Sequence, residues 1–189
     1  SNGAMMSYRL ACELSDKITA IAPNGGQDQL QNCELKRAVP VLHIHGKEDK
    51  CAQFYGGEEC GGCFQDAFRA LGLPVRQNGV SRGQCHPVTS VVKKWADLNK
   101  CQPDALITFE KGDVTCSTFS NCKDNAEVTL CAIENAGHTW PGANGSIKAC
   151  KRRPDGRLCA AWKNQIGATN HDINANQFMW EFFSKYKIK

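Results

Sequence analysis

Residues 39–46 read Val-Pro-Val-Leu-His-Ile-His-Gly, "VPVLHIHG". Val41, Leu42 and Ile44 make a near-continuous apolar run, and such a run marks a strand covered on both faces in a parallel sheet rather than one with a wet side. Strand alternation sends His43 and His45 to a common face, where packing against covering helices is the simple explanation. The chain on either side fits this frame. Upstream, residues 4–14 carry Met5, Tyr8, Leu10, Ala11 and Leu14 at helical spacing behind the small, cap-forming Ser1, Asn2 and Gly3. "KITAIAPNGG" at residues 17–26 then reads as a short apolar strand ending in a turn. Downstream, helices are predicted near 64–71 and 87–99, a hairpin near 106–133, and a closing helix that runs from Asp172 as its N-cap. The alternation of strand and helix makes the predicted class α/β, with a mostly parallel sheet flanked by helices.

Composition narrows the class. The chain has 189 residues, enough for one core and one domain, and carries a net charge of only +4. Its densest basic stretch, "KACKRRPDGR" at 148–157, contains Pro, Gly and two cysteines with no interleaved aromatics. That is a solvated loop, so no nucleic acid partner is expected. No apolar run approaches the length needed to cross a bilayer, and no membrane partner is expected either.

Twelve cysteines are the strongest compositional signal. Their even number and wide scatter favour a disulfide framework and an oxidising, extracellular compartment. A zinc reading of Cys60 and Cys63 in "ECGGC", with Cys85, His86 or Cys51 as further ligands, lacks a second half-site, and a redox reading of the same motif lacks the preceding strand. Neither a metal nor a cofactor is therefore assigned. Some pairings are legible locally. Residues 113–134 form two alternating strands around a polar turn, which sets Cys116 opposite Cys131. Cys150 and Cys159 flank a Pro-Asp-Gly turn, and Cys101 with Cys122 and Cys12 with Cys33 are the next pairs. Cys51, Cys60, Cys63 and Cys85 share two bridges in an open connectivity. Asn144 begins an Asn-Gly-Ser glycosylation sequon in an expected surface loop.

In open α/β sheets ligands sit beyond the carboxyl ends of the strands. Asp49 follows "VLHIHG" there, and His138 follows "VTLCAIENAG". With Ser1 in a Ser-x-Gly turn before a helix, the chain order is Ser1, Asp49, His138, the order of one class of acyl-transfer triad. The chemistry needs these three types: a hydroxyl to attack an acyl carbon, an imidazole to take its proton, and a carboxylate to set the imidazole's tautomer. His86 and His171 lie in loops without an evident partner.

"SNGAMMSYRLACELSDKITAIAPNGG", "PVLHIHGKED", "NAGHTWPG" and "DINANQFMWEFF", taken in order, resemble the secreted esterase family that includes feruloyl esterases and polyhydroxybutyrate-depolymerase-like enzymes. The resemblance runs over most of the chain and is thinnest over residues 50–86. Ser1-Asn2-Gly3 matches the last three positions of a Gly-x-Ser-x-Gly elbow, His45, Gly46 and Asp49 match His-Gly-x-x-Asp, and 137–142 match Gly-His-Thr-Trp-Pro-Gly. The resemblance implies an α/β-hydrolase fold with Ser1 as nucleophile, Asp49 as acid, His138 as base and the Asn2 backbone N–H in the oxyanion hole. It also implies that residues 1–189 are the C-terminal portion of a single domain beginning at the elbow, which needs its preceding strands and second oxyanion donor for activity. Trp140 is expected to bind substrate by stacking on an aromatic acyl group or a sugar. Hydroxycinnamoyl esters of plant cell-wall polysaccharide are the first expected substrate, with acetyl-xylan and polyester as alternatives. The rival from another class is a non-catalytic, disulfide-rich carbohydrate-binding module that uses Trp140, Trp162 and Tyr55.

Overall fold

The computed structural model describes residues 1–70, 72–75, 83–144 and 147–187. Residue 71 at the end of the second expected helix, and Gly145 and Ser146 of the sequon, lie outside the described residues. The element order is α1 (Asn2–Glu13), β1 (Val41–Gly46), β2 (Gly57–Cys60), α2 (Cys63–Ala70), β3 (Gly83–Cys85), α3 (Val88–Leu98), β4 (Leu106–Lys111), β5 (Val114–Phe119), β6 (Val128–Ile133), α4 (Lys148–Arg152), α5 (Arg157–Ile166) and α6 (Ala175–Phe183), with one 3-10 turn at Lys123–Asn125. No helix among the described residues is long and apolar enough to cross a membrane.

Every residue of β1 is buried, as its apolar run requires. Alternation divides its side chains between two cores. Val41 joins Tyr8, Ala11, Val88, Val92 and Trp95 under α1 and α3, while Leu42 and Ile44 join Ile133, Ala175, Met179 and Phe182 under α6. Burying a strand on both faces against amphipathic helices removes apolar area from water at roughly 25 cal/mol per Å², which is what holds β1 at the centre.

The sheet itself differs from expectation. Its order is β1-β6-β5-β4, and only the β1·β6 pair is parallel; β5·β6 and β4·β5 are antiparallel. A separate two-stranded antiparallel sheet pairs β2 with β3. This small mixed sheet overturns the expected mostly parallel α/β-hydrolase sheet. The cause lies in the connections. β4 turns into β5 through Gly112 and Asp113, and β5 returns to β6 through 120–127, whereas a parallel neighbour needs a crossover of a dozen or more residues. The β1-to-β6 step is long enough, and among the described strand pairs it alone is parallel.

Residues 17–26 also fall short of a full strand. Ile21 and Asn24 form isolated parallel bridges to Val41 and Ile44. Ile21 N–H donates to Pro40 O and Gly25 N–H to Ile44 O, but the position between them is Pro23, which has no N–H to give. The last helix is capped two residues later than expected. Asn174 accepts from Gln177 N–H, while the Asp172 carboxylate accepts from Asp113 N–H at 3.0 Å and from the Asn170 side chain at 2.7 Å, bracing the β4–β5 turn.

All twelve cysteines are paired. Cys12–Cys33, Cys101–Cys122, Cys116–Cys131 and Cys150–Cys159 are the locally expected bridges, and Cys116 does face Cys131 across β5 and β6. The open set resolves into Cys51–Cys63 and Cys60–Cys85. The first ties the loop after β1 to the start of α2, and the second staples β2 to β3.

Candidate active site

Asp49 lies three residues past the end of β1, with its side chain fully buried. Its Oδ1 accepts the backbone N–H groups of Cys51 and Ala52, each at 2.7 Å, so the loop closes on its own carboxylate in an Asx turn. The other oxygen, Oδ2, is 2.7 Å from His138 Nδ1 and 3.4 Å from His45 Nε2. Burial alone would push the carboxyl upward, but hydrogen bonding to His138 and His45 outweighs it and holds Asp49 well below the usual carboxylate range. An ionised carboxylate only accepts, so the proton between the pair sits on His138 Nδ1. In the neutral imidazole this tautomer leaves the lone pair on Nε2, as a general base requires.

The loop after β6 is held from behind. His138 N–H donates to Ile166 O at 2.6 Å, Gly137 N–H to Ala168 O at 3.0 Å, and the Thr139 hydroxyl to Ala168 O at 3.1 Å. In front, the Asn24 side chain donates to Thr139 O at 3.1 Å. The imidazole is only 10% exposed, and the Phe64 ring stands edge-on to it at 6.0 Å between centroids. Phe64 in turn leans on Trp162 of α5.

Ser1 enters from the opposite side as the N-cap of α1, its carbonyl accepting from Ala4 N–H at 2.9 Å and Met5 N–H at 3.1 Å. Its nitrogen lies 2.5 Å from Gly25 O and 3.2 Å from Asn24 O, which ties the start of α1 to the end of the segment bridged to β1. Ser1 and His138 together line two adjoining clefts. The larger, of about 490 Å³, also has Asn24, Thr139 and Trp140 in its wall, and the smaller, of about 310 Å³, has Asn2, Met5 and Phe64. Among the described residues no hydrogen bond joins the Ser1 hydroxyl to His138. The first N–H groups of a helix have no intrahelical acceptor, so Asn2 keeps a backbone donor at the cleft. Trp140 is 40% exposed and anchored through Nε1 to Asn176 Oδ1 at 3.0 Å.

Donor atoms of Asp49, Cys51 and His138 fall within 4.8 Å of one another, the spacing of a metal site. The set does not fit a metal. Cys51 is bonded to Cys63 and offers no thiolate, while Asp49 and His138 satisfy each other. The zinc reading of Cys60, Cys63 and Cys85 fails on the same ground, because each is in a disulfide.

No protein-family model matches the chain. One stretch of 49 residues is 35% identical to a bifunctional acetylxylan esterase/xylanase of Neocallimastix patriciarum. The match covers 26% of this chain and 7% of that protein, and it carries the expected esterase family no further than a carbohydrate-esterase-related region. Six disulfides and this likeness are compatible with an extracellular location.

Several contributors to the site carry no motif of their own in the sequence. Phe64, Asn24 and the Gly25-Gly26 pair are legible only as "ECGGCF" and "PNGG", a loop and a turn. A Cβ on Gly26 would fall 2.5 Å from Ser1 O and 3.0 Å from Ser1 Cα, so the serine sits where it does only because residue 26 has no side chain. Gly26→Ala is therefore expected to displace Ser1 and lower any reaction that uses its hydroxyl by roughly 100-fold, since misplacement by about 1 Å costs that much. Circular dichroism should remain native, and turnover in a Gly26→Ala variant equal to wild type would show that Ser1's placement does not matter.

Proposed function

We propose that the protein is a secreted serine-type carboxylic ester hydrolase acting on plant cell-wall polysaccharide, with acetyl esters of xylan ahead of hydroxycinnamoyl esters as the substrate to test first. The observation that carries the reading is the buried Asp49 carboxylate bonded at 2.7 Å to a histidine that lines two clefts together with Ser1. The short likeness to an acetylxylan esterase/xylanase moves acetyl-xylan to the front, and the disulfides fit secretion. The mixed sheet is no obstacle, because the same three groups recur on unrelated folds.

Ser1 Oγ attacks the ester carbonyl carbon as His138 Nε2 takes its proton. The Asn2 N–H stabilises the oxyanion, and the alcohol leaves with the proton returned by His138. Water then repeats the sequence on the acyl-serine, releasing the acid and restoring the hydroxyl. Asp49 keeps the imidazole in the productive tautomer throughout.

The exposed Trp140 and Tyr55, the latter 71% exposed, support a second reading as a carbohydrate-binding module without chemistry. Trp162 fits that role less well, since it packs on Phe64. A fluorophosphonate probe and parallel assays on acetylated xylan, methyl ferulate and a hydroxybutyrate oligomer separate the two. Stoichiometric labelling of Ser1, lost in His138→Ala, with acetate release from xylan is the expected result. Xylan binding with neither labelling nor release would replace the esterase by the module.

A further inference from the structure

Beneath the candidate triad lies a line of buried polar groups that the proposed reaction does not use. His43 and His45 are fully buried on the α1/α3 face of β1, their rings stacked 5° from parallel with centroids 5.1 Å apart. His43 Nδ1 is 2.5 Å from the Tyr8 hydroxyl, His43 Nε2 is 2.8 Å from His45 Nδ1, and His45 Nε2 is 2.6 Å from Ala52 O. Three consecutive contacts with no solvent leave little freedom in where the protons sit.

The assignment follows from the far end. Ala52 O is a carbonyl and Asp49 an ionised carboxylate, and both lie within 3.4 Å of His45 Nε2, so that nitrogen carries the hydrogen. A singly protonated His45 then presents Nδ1 as acceptor, which requires the hydrogen of His43 on Nε2. His43 Nδ1 is left as acceptor for the Tyr8 hydroxyl. Every donor meets an acceptor, the last N–H lying 2.6 Å from Ala52 O with Asp49 Oδ2 3.4 Å away, and no charge is needed. Burial, followed by the neighbouring His45, pushes His43 well below its usual range, and burial with the Asp28 charge pushes the Tyr8 phenol well above its own, so each keeps its assigned proton.

We infer that Tyr8, His43 and His45 form a one-way hydrogen-bond chain whose final N–H helps hold the Asp49 carboxylate, which makes His45 a positioning residue for the triad. This rests on the reading of Asp49 and His138 as acid and base. The chain has a structural consequence as well. Tyr8 belongs to α1, the helix that Ser1 caps, so the chain joins the helix bearing the nucleophile to the loop bearing the acid. The groups facing His45 are Tyr8 through His43 from α1, the edge of Phe54, and Asp49 with His138 behind it.

Two measurements test it, one independent of catalysis. Nitrogen NMR of histidine-labelled protein near neutral pH is expected to find His43 and His45 both as Nε2–H tautomers, with His43 staying neutral into mildly acidic pH. A doubly protonated His45, or a hydrogen on its Nδ1, overturns the chain whatever the activity. In kinetics, His45→Phe is expected to lower kcat/KM by up to about 10-fold, the low end for a hydrogen bond to a charged group, because the N–H is shared with Ala52 O and stands 3.4 Å from the carboxylate. The loss should fall on kcat, with the acid limb of the pH–rate profile moved to higher pH, because a carboxylate short of one donor holds the proton on its partner imidazole more firmly. His45→Gln, whose amide can replace the N–H, is expected to recover most of both effects and to stay folded if the Phe variant does not. Equal losses in the two variants with the acid limb unmoved would make His45 a packing residue only. Full activity in His138→Ala would instead defeat the esterase reading and leave the NMR result to decide the chain.

Discussion

Ser1→Ala and His138→Ala are each expected to reduce ester hydrolysis by about 10⁶, to the level left by binding and the oxyanion donor, because in the proposed mechanism the two groups act as one unit. Asp49→Asn is expected to cost about 10⁴ for a different reason. An amide N–H facing His138 would force the hydrogen onto Nε2, the wrong tautomer for a base, while Oδ1 could still accept from Cys51 and Ala52 and preserve the loop. Ser1 is exposed and His138 sits at a cleft, so neither truncation opens a cavity in a core. Initial rates on acetylated xylan, with circular dichroism as the folding control, decide the matter. Wild-type turnover in Ser1→Ala would remove the serine from the mechanism.

Reduction of the disulfides is expected to unfold the protein. Each native bridge of this kind contributes about 2–5 kcal/mol, while the whole stability of a domain is only about 5–15 kcal/mol, so loss of all six exceeds what the cores retain. The bridges span separations from 9 to 25 residues and reach both cores as well as the α2–α5 flank. Thiol titration in denaturant should find no free thiol before reduction and twelve after it, as the paired cysteines require. Retention of native circular dichroism after full reduction would show that apolar packing alone sustains the fold. Four reactive thiols together with stoichiometric zinc before reduction would overturn the pairing of Cys51, Cys60, Cys63 and Cys85.

Much of the site's frame was legible in the residues. Asp49 and His138 follow strands whose burial pattern is written in "VLHIHG" and "VTLCAI", and both occupy the strand-end loops where that reading put them. Phe64 and Gly26 were not legible, because a ring that stands on a histidine 74 positions later, or a missing Cβ beside Ser1, follows from long-range closure and has no local period. Strand alternation alone puts the two histidines of β1 on one face, where they stack, yet their ordered chain to Tyr8 and Ala52 depends on distances that alternation does not specify.

What the sequence by itself determined is what local chemistry determines: a strand apolar enough to need cover on both faces, helices with one wet side, and cysteines paired across a hairpin or a short turn. Cys116–Cys131 and Cys150–Cys159 are of that local kind, while Cys12–Cys33 and Cys101–Cys122, each 21 residues apart, are pairs that the sequence suggests with less local support. Tertiary structure decided the rest. Strand order and direction in β1-β6-β5-β4 turn on which connections are long enough to cross over, and the same apolar runs satisfy a parallel or a mixed sheet equally well. The partners of Cys51 and Cys60 depended on where α2 and β3 came to rest, since four cysteines allow three pairings and spacing does not choose among them. Ser1 and His138 line the same clefts only because α1 packs against β1 through Tyr8, and the approach of residues 1 and 138 is set by packing and has no local signal in the chain.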